Sequence, residues 1–134
     1  MERQGVSLGA NSKMVVLRSE RDRIQVFYRD VLGCKVEMKP NADLVWLRSD
    51  FYLGIVYEDS ALSKDDMLKS VWLELRTDEP DRLKEAVLKF GLSELEYGDN
   101  EHFYFQAPGG QVFRIVGTFE NMELYRDHGI GTAE

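Results

Sequence analysis

Few side chains in this sequence are equipped for chemistry, and two of them stand in strongly apolar company. The stretch QAPGGQVFRIV (residues 106–116) sets Arg114 amid Val112, Phe113, Ile115 and Val116, and VWLEL (residues 71–75) sets Glu74 among Trp72, Leu73 and Leu75. A guanidinium is permanently charged and only donates hydrogen bonds, so its natural partner is a carboxylate or a phosphate, held in bidentate geometry. A charge withdrawn from water is costly unless partnered. Three readings follow. Arg114 pairs internally with Glu74, it binds a carboxylate or phosphate on a ligand, or both groups are simply hydrated; the internal pair ranks first.

The remaining reactive groups are sparse. His102 and His128 are the two histidines and Cys34 the one cysteine. A catalytic metal usually takes about three protein ligands; His102 with Glu74 or Glu101 makes at most an improvised site, and His128 falls in the C-terminal tail. Cys34 follows Gly33 where a strand begins, which suits a buried structural thiol with no histidine placed to activate it. It also excludes an internal disulfide. Arg23, Arg29, Arg82 and Lys89 fall on polar helix faces and read as solvated.

Composition narrows the partners. The chain has 134 residues, 43% of them hydrophobic, enough for one domain with its own core. With 24 acidic against 17 basic residues the formal charge is −7. No Lys/Arg run offsets it, so neither nucleic acid nor an anionic membrane surface is expected as a partner. No apolar run has transmembrane length, and the start MERQGVSLGANSK lacks the apolar core of a signal peptide. The expectation is a soluble, cytoplasmic protein.

The elements that must position these groups occur twice. LRSERDRI (residues 17–24) is echoed by LRTDEPDRL (residues 75–83), each copy preceded by a strand-like run. In the first helix Ile24, Phe27, Tyr28 and Val31 share one face, with Gly33 as a stop. The second has Pro80 near its start, buries Leu83, Val87 and Phe90, and ends at Gly91. Three further strands joined by short turns follow each helix. The reading is a single domain over 1–134: one module over about residues 12–58, a polar linker over 59–69, a second module over 70–117, and a tail over 118–134 in which Phe119, Met122, Leu124 and Tyr125 suit a short amphipathic helix.

This doubled βαβββ pattern resembles the vicinal oxygen chelate superfamily, which includes glyoxalase I, extradiol dioxygenases, and fosfomycin- and bleomycin-resistance proteins. The residues carrying the resemblance are FYRDVLG (27–33), at a helix-to-strand junction, and FQAPGGQVFRI (105–115), the last hairpin. The resemblance implies an α+β fold of two tandem βαβββ modules forming a curved mixed sheet around a cavity, with helices outside. It also implies where a divalent metal would be held. Those positions read Ser12 (Lys13 if the register slips by one), Gly54, Ser70 and Arg114, which is no ligand set, and Ala107 replaces the acidic residue that usually opens the hairpin. No metal or other cofactor is expected.

Strand alternation then assigns faces. Met14, Trp46, Tyr52, Trp72, Glu74, His102, Tyr104 and Arg114 fall toward the expected cavity, as aromatic walls with a few polar groups. The function expected is metal-free binding of a small organic molecule, sequestering an aromatic drug or metabolite in the manner of the bleomycin-resistance branch. The alternative is a lyase, isomerase or dioxygenase-like enzyme using a displaced metal site, or metal-free acid/base chemistry on Glu74 or His102. A third possibility is an interaction module with a closed cavity. Members of the superfamily are often dimers, so a homodimer is expected.

Overall fold

The structure is a computed structural model and describes residues 5–120. The first module runs β1 (Asn11–Leu17), a 3-10 turn (Arg18–Glu20), α1 (Arg21–Val26) continued by a π-helical turn (Phe27–Val31), then β2 (Lys35–Lys39), β3 (Ala42–Arg48) and β4 (Phe51–Glu58). After α2 (Lys64–Met67) the second runs β5 (Trp72–Thr77), α3 (Pro80–Phe90), β6 (Glu94–Leu95), β7 (Phe103–Gln106) and β8 (Val112–Gly117). The sheets are ordered β1-β4-β3-β2 and β5-β8-β7-β6. In each, the first strand runs parallel to the last, and the remaining pairs are antiparallel. The doubled βαβββ unit is therefore present, as two mixed sheets that are not closed into a barrel.

Local chemistry explains the punctuation. Leu32 N–H reaches back five residues to Phe27 C=O at 3.2 Å, which widens the end of the first helix, and Gly33 takes φ 74° to leave it. Pro80 occupies the first turn of α3, and Gly91 closes it in the left-handed region at φ 114°. The linker is not featureless: Ser63 caps α2 by accepting from Asp66 N–H at 3.1 Å.

Both modules share one apolar core. Ile24, Phe27 and Tyr28 from the first module are fully buried with Val87, Phe105 and Phe113 from the second. Phe27 meets Phe90 and Phe105 edge-on at 5.3 and 5.8 Å between ring centroids, and Tyr28 meets Phe113 at 6.2 Å. Each such pair adds about 1 kcal/mol to the area it buries. The core-facing residues of β4 (Leu53, Ile55, Tyr57) and of β8 (Phe113, Ile115) belong to this same cluster.

This packing corrects one assignment. Ser12, Met14 and Val16 lie beside Leu53, Ile55 and Tyr57 in the parallel β1–β4 pair, so they share the core side. Met14 packs against the core and not toward a ligand face. Lys13 and Val15 take the other side, beside Gly54 and Val56.

A buried polar group anchors β3 on the same side. Asp43 is fully buried and accepts from Tyr57 OH at 2.7 Å, Arg21 Nη2 at 2.9 Å and Gln25 Nε2 at 3.0 Å. Three donors replace the water this carboxylate has lost. Among the described residues no helix is long and apolar enough to cross a membrane.

Candidate functional site

On the face of the second sheet away from the core, β5 and β8 place Glu74 directly opposite Arg114 in register. Arg114 donates through Nε and Nη2 to Glu74 Oε2, and through Nη1 to Asp99 Oδ2 and Tyr104 OH, both at 3.2 Å. Its guanidinium carbon stands 4.9 Å from the Trp72 ring centroid and 5.9 Å from that of Tyr104. Burial by itself would favour the neutral form, but Glu74 and Tyr104 outweigh it and raise the Arg114 pKa. The internal pairing with Glu74 is thus observed, with Asp99 added.

Asp99 is the member of this cluster that sequence reading missed. It lies in the loop between β6 and β7, where no periodicity reports a side chain's direction, yet its Oδ2 collects Arg114, Tyr104 OH at 3.1 Å and His102 Nδ1 at 2.9 Å. Burial pushes its pKa up; the Glu101 N–H, His102 and Tyr104 push harder the other way and hold it at about 2. The acidic, Gly-containing run YGDN (residues 97–100) was the one available signal, and it reads equally well as a plain turn.

His102 is clasped on both sides, by Asp99 at Nδ1 and by Glu120 Oε1 at Nε2, 2.7 Å away. A neutral imidazole has one N–H and one lone pair, so it satisfies only one of two carboxylates. Desolvation lowers its pKa, but the hydrogen bonds to Glu120 and Asp99 prevail and raise it. With a carboxylate at each nitrogen the arrangement favours the protonated ring, and neither nitrogen is turned toward open space.

The two aromatic groups expected to face each other do not meet. Trp46 and Tyr52 pair on the first sheet at 4.8 Å between centroids, with Trp46 Nε1 donating to Glu37 at 3.3 Å. Trp72 and Tyr104 pair on the second sheet at 6.0 Å. Each pair lies on its own sheet, and neither cleft described is lined by both: Trp46 lines a smaller one with Lys35, Arg48 and Ser49.

The largest cleft described lies elsewhere, with a volume of about 1040 Å³. It runs along the free edge of β5 and is floored by Leu32 and Leu47 from the first module and Leu73, Leu75 and Leu83 from the second. Phe51 is its one aromatic, and Glu74, Arg76 and Arg82 mark its polar side. Cys34 also lines it, with burial pushing the thiol up to about 11, so the thiolate is absent at neutral pH.

The side chains at the positions that the resemblance implies for a metal have other commitments. Gly54 has no side chain, and one would collide: a Cβ there would lie 2.8 Å from Ser12 C=O. Ser12 spends its hydroxyl on Tyr52 C=O at 2.6 Å, and Arg114 brings a fixed positive charge. Among the described residues no three His, Cys, Asp or Glu side chains gather to hold an ion.

No protein-family model and no curated protein sequence matches the chain. Solved structures do. A protein from Bacillus anthracis assigned by name to the glyoxalase family superposes with a TM-score of 0.66 at 14% identity, over 87% of this chain and 98% of its own. Fosfomycin resistance protein FosX from Mesorhizobium loti gives 0.64 at 15%, over 90% and 99%. Lactoylglutathione lyase from Agrobacterium tumefaciens gives 0.59 at 16%, over 86% and 96%. The likeness is one of fold, which the chain shares with these proteins.

Proposed function

We propose that this chain, built on the vicinal oxygen chelate fold, binds a small organic molecule without a metal and sequesters it. The observation that carries the reading is the cleft of about 1040 Å³ along β5, at the upper end of the usual size for small-molecule sites, apolar on walls drawn from both modules and closed at one side by Glu74. Arg114 already has Glu74 and Asp99 as partners, so it is not waiting for a ligand anion. Glu74 keeps partial exposure on the cleft lining and Phe51 supplies its aromatic surface, which favours a neutral or cationic ligand with an aromatic portion. The fold shared with a fosfomycin resistance protein supports a drug or drug-like metabolite.

Acid/base catalysis has less support. His102 is held at both nitrogens, and Asp99 stays ionised far below neutral pH.

A homodimer is part of the proposal. The outward face of the first sheet carries Lys13, Lys35, Glu37 and Lys39 around Trp46 and Tyr52, and that of the second carries Glu74, Arg76 and Arg114 around Trp72 and Tyr104. Each face thus presents an aromatic pair among charges of both signs, which suits the two to each other in a second copy.

The test is a thermal-shift screen of small molecules with and without divalent metals, paired with elemental analysis of the purified protein. Stabilisation by organic ligands and no bound metal are expected. Metal stabilisation with no organic ligand overturns the reading, and light scattering decides the dimer separately.

A further inference from the structure

We propose that the cleft along β5 takes a dipeptide-sized zwitterion with an apolar or aromatic side chain, its ammonium group on Glu74 and its carboxylate on Arg76. This deepens, and rests on, the reading of the cleft as a small-molecule site. Both residues line it. They stand two apart on β5, so they fall on the same side of the strand. Glu74 gives Arg114 only its Oε2, and among the described residues no bond reaches Oε1. That oxygen is left to accept from an ammonium group.

Arg76 supplies the opposite charge. The other charged side chains on the lining are committed: Arg48 to Asp50, Arg82 to Glu79, and Asp78 to the Thr118 hydroxyl. Arg76 stands beside apolar Val116 in the β5–β8 pair, and among the described residues it has no hydrogen bond or ion pair. It sits where the outward face of the sheet meets the cleft, with its guanidinium fork open to a carboxylate.

Spacing selects the size of the ligand. Residues two apart on a strand are separated along it by about 7 Å. An extended dipeptide holds its ammonium and carboxylate about as far apart, being built of the same backbone unit, whereas a single amino acid reaches only about half that distance. The strand also offers its backbone. β5 ends its sheet, so every second residue directs its N–H and C=O away from β8, and an extended dipeptide running the same way as β5 pairs with that edge. Its side chains then find Leu73, Leu75 and Leu83 of the second module and Leu47 and Phe51 of the first.

The experiment is isothermal titration calorimetry of the full chain with leucyl-phenylalanine in four forms: free at both ends, amidated at the C-terminus, acetylated at the N-terminus, and blocked at both. The free dipeptide should bind about tenfold more tightly than either singly blocked form, since each lacks one charge-assisted contact. Arg76→Gln, checked for folding by circular dichroism, should weaken the free dipeptide about tenfold and leave the amide unchanged, because the amide has no carboxylate for Arg76 to hold. Equal binding of the four forms, or an Arg76→Gln variant that holds the free dipeptide as well as the parent does, overturns the proposal and leaves the cleft standing as a site. Binding of none of the four overturns it too, and the thermal-shift screen then decides separately whether the cleft takes any organic molecule.

Discussion

Glu74 and Arg114 are joined twice over, as register partners in the parallel β5–β8 pair and as an ion pair through Nε and Nη2. The equivalent pair in the first module is Lys13 and Gly54, which can make no such bond. The duplication has kept the strand geometry and placed the ion pair in the second module only.

That pairing predicts strong coupling. In urea denaturation, Glu74→Gln should cost about 1 to 3 kcal/mol, since Arg114 is left largely buried with fewer partners. Arg114→Met should cost less, because Glu74 and Asp99 can turn to solvent. The double variant should recover at least about 1 kcal/mol relative to the sum; additivity would show that the pair contributes nothing.

Acid should act through Asp99. Its folded pKa of about 2 lies below the ordinary 3.8, so its contribution is complete above that ordinary value and disappears as pH falls through about 2. Asp99→Asn should be less stable than the parent at pH 6 and lose less on acidification. Parallel stability curves for the two proteins would contradict this.

The duplication, the order of elements and the faces of β4, β5 and β8 were legible in the sequence, because Leu53 and Phe113 anchor matching apolar alternations. The face of β1 was not. The echo aligns Leu17 with Leu75, but pairing with the last strand matches Met14 to Leu75, since Met14 stands beside Ile55 as Leu75 stands beside Ile115. The similarity of LRSERDRI and LRTDEPDRL lies in the strand-to-helix junctions, which differ in length, and an odd offset exchanges faces. Asp99 and the apolar cleft were illegible for another reason. Both depend on how a loop and two modules come together, and neither leaves a period in the chain.

Asp43 is predicted to be indispensable for stability. Asp43→Ala would strand the Tyr57 hydroxyl and the Arg21 guanidinium, and about 3 kcal/mol of destabilisation is expected from equilibrium unfolding. A loss below about 1 kcal/mol would mean that solvent readily replaces the carboxylate.

Gly109→Ala should also destabilise, by on the order of 2 kcal/mol, for two reasons at once. Its φ of 92° disfavours a side chain, and a Cβ there would lie 2.7 Å from Ile24 Cδ1. A calorimetric melting temperature within a degree or so of the parent would show that Ile24 moves aside freely.

The same turn has a bearing on ancestry. Gly109 sits against Ile24 and Val16 of the first module, and Gly110 against Met67 of the linker. A gene that doubles itself begins with two interchangeable copies, free to be shuffled, permuted or lengthened at any loop. Here the final hairpin of one copy has become a filling for the interior of the other, so that freedom is gone at this turn. The two halves now form a matched set, fitted together at the five-residue turn between Gln106 and Val112.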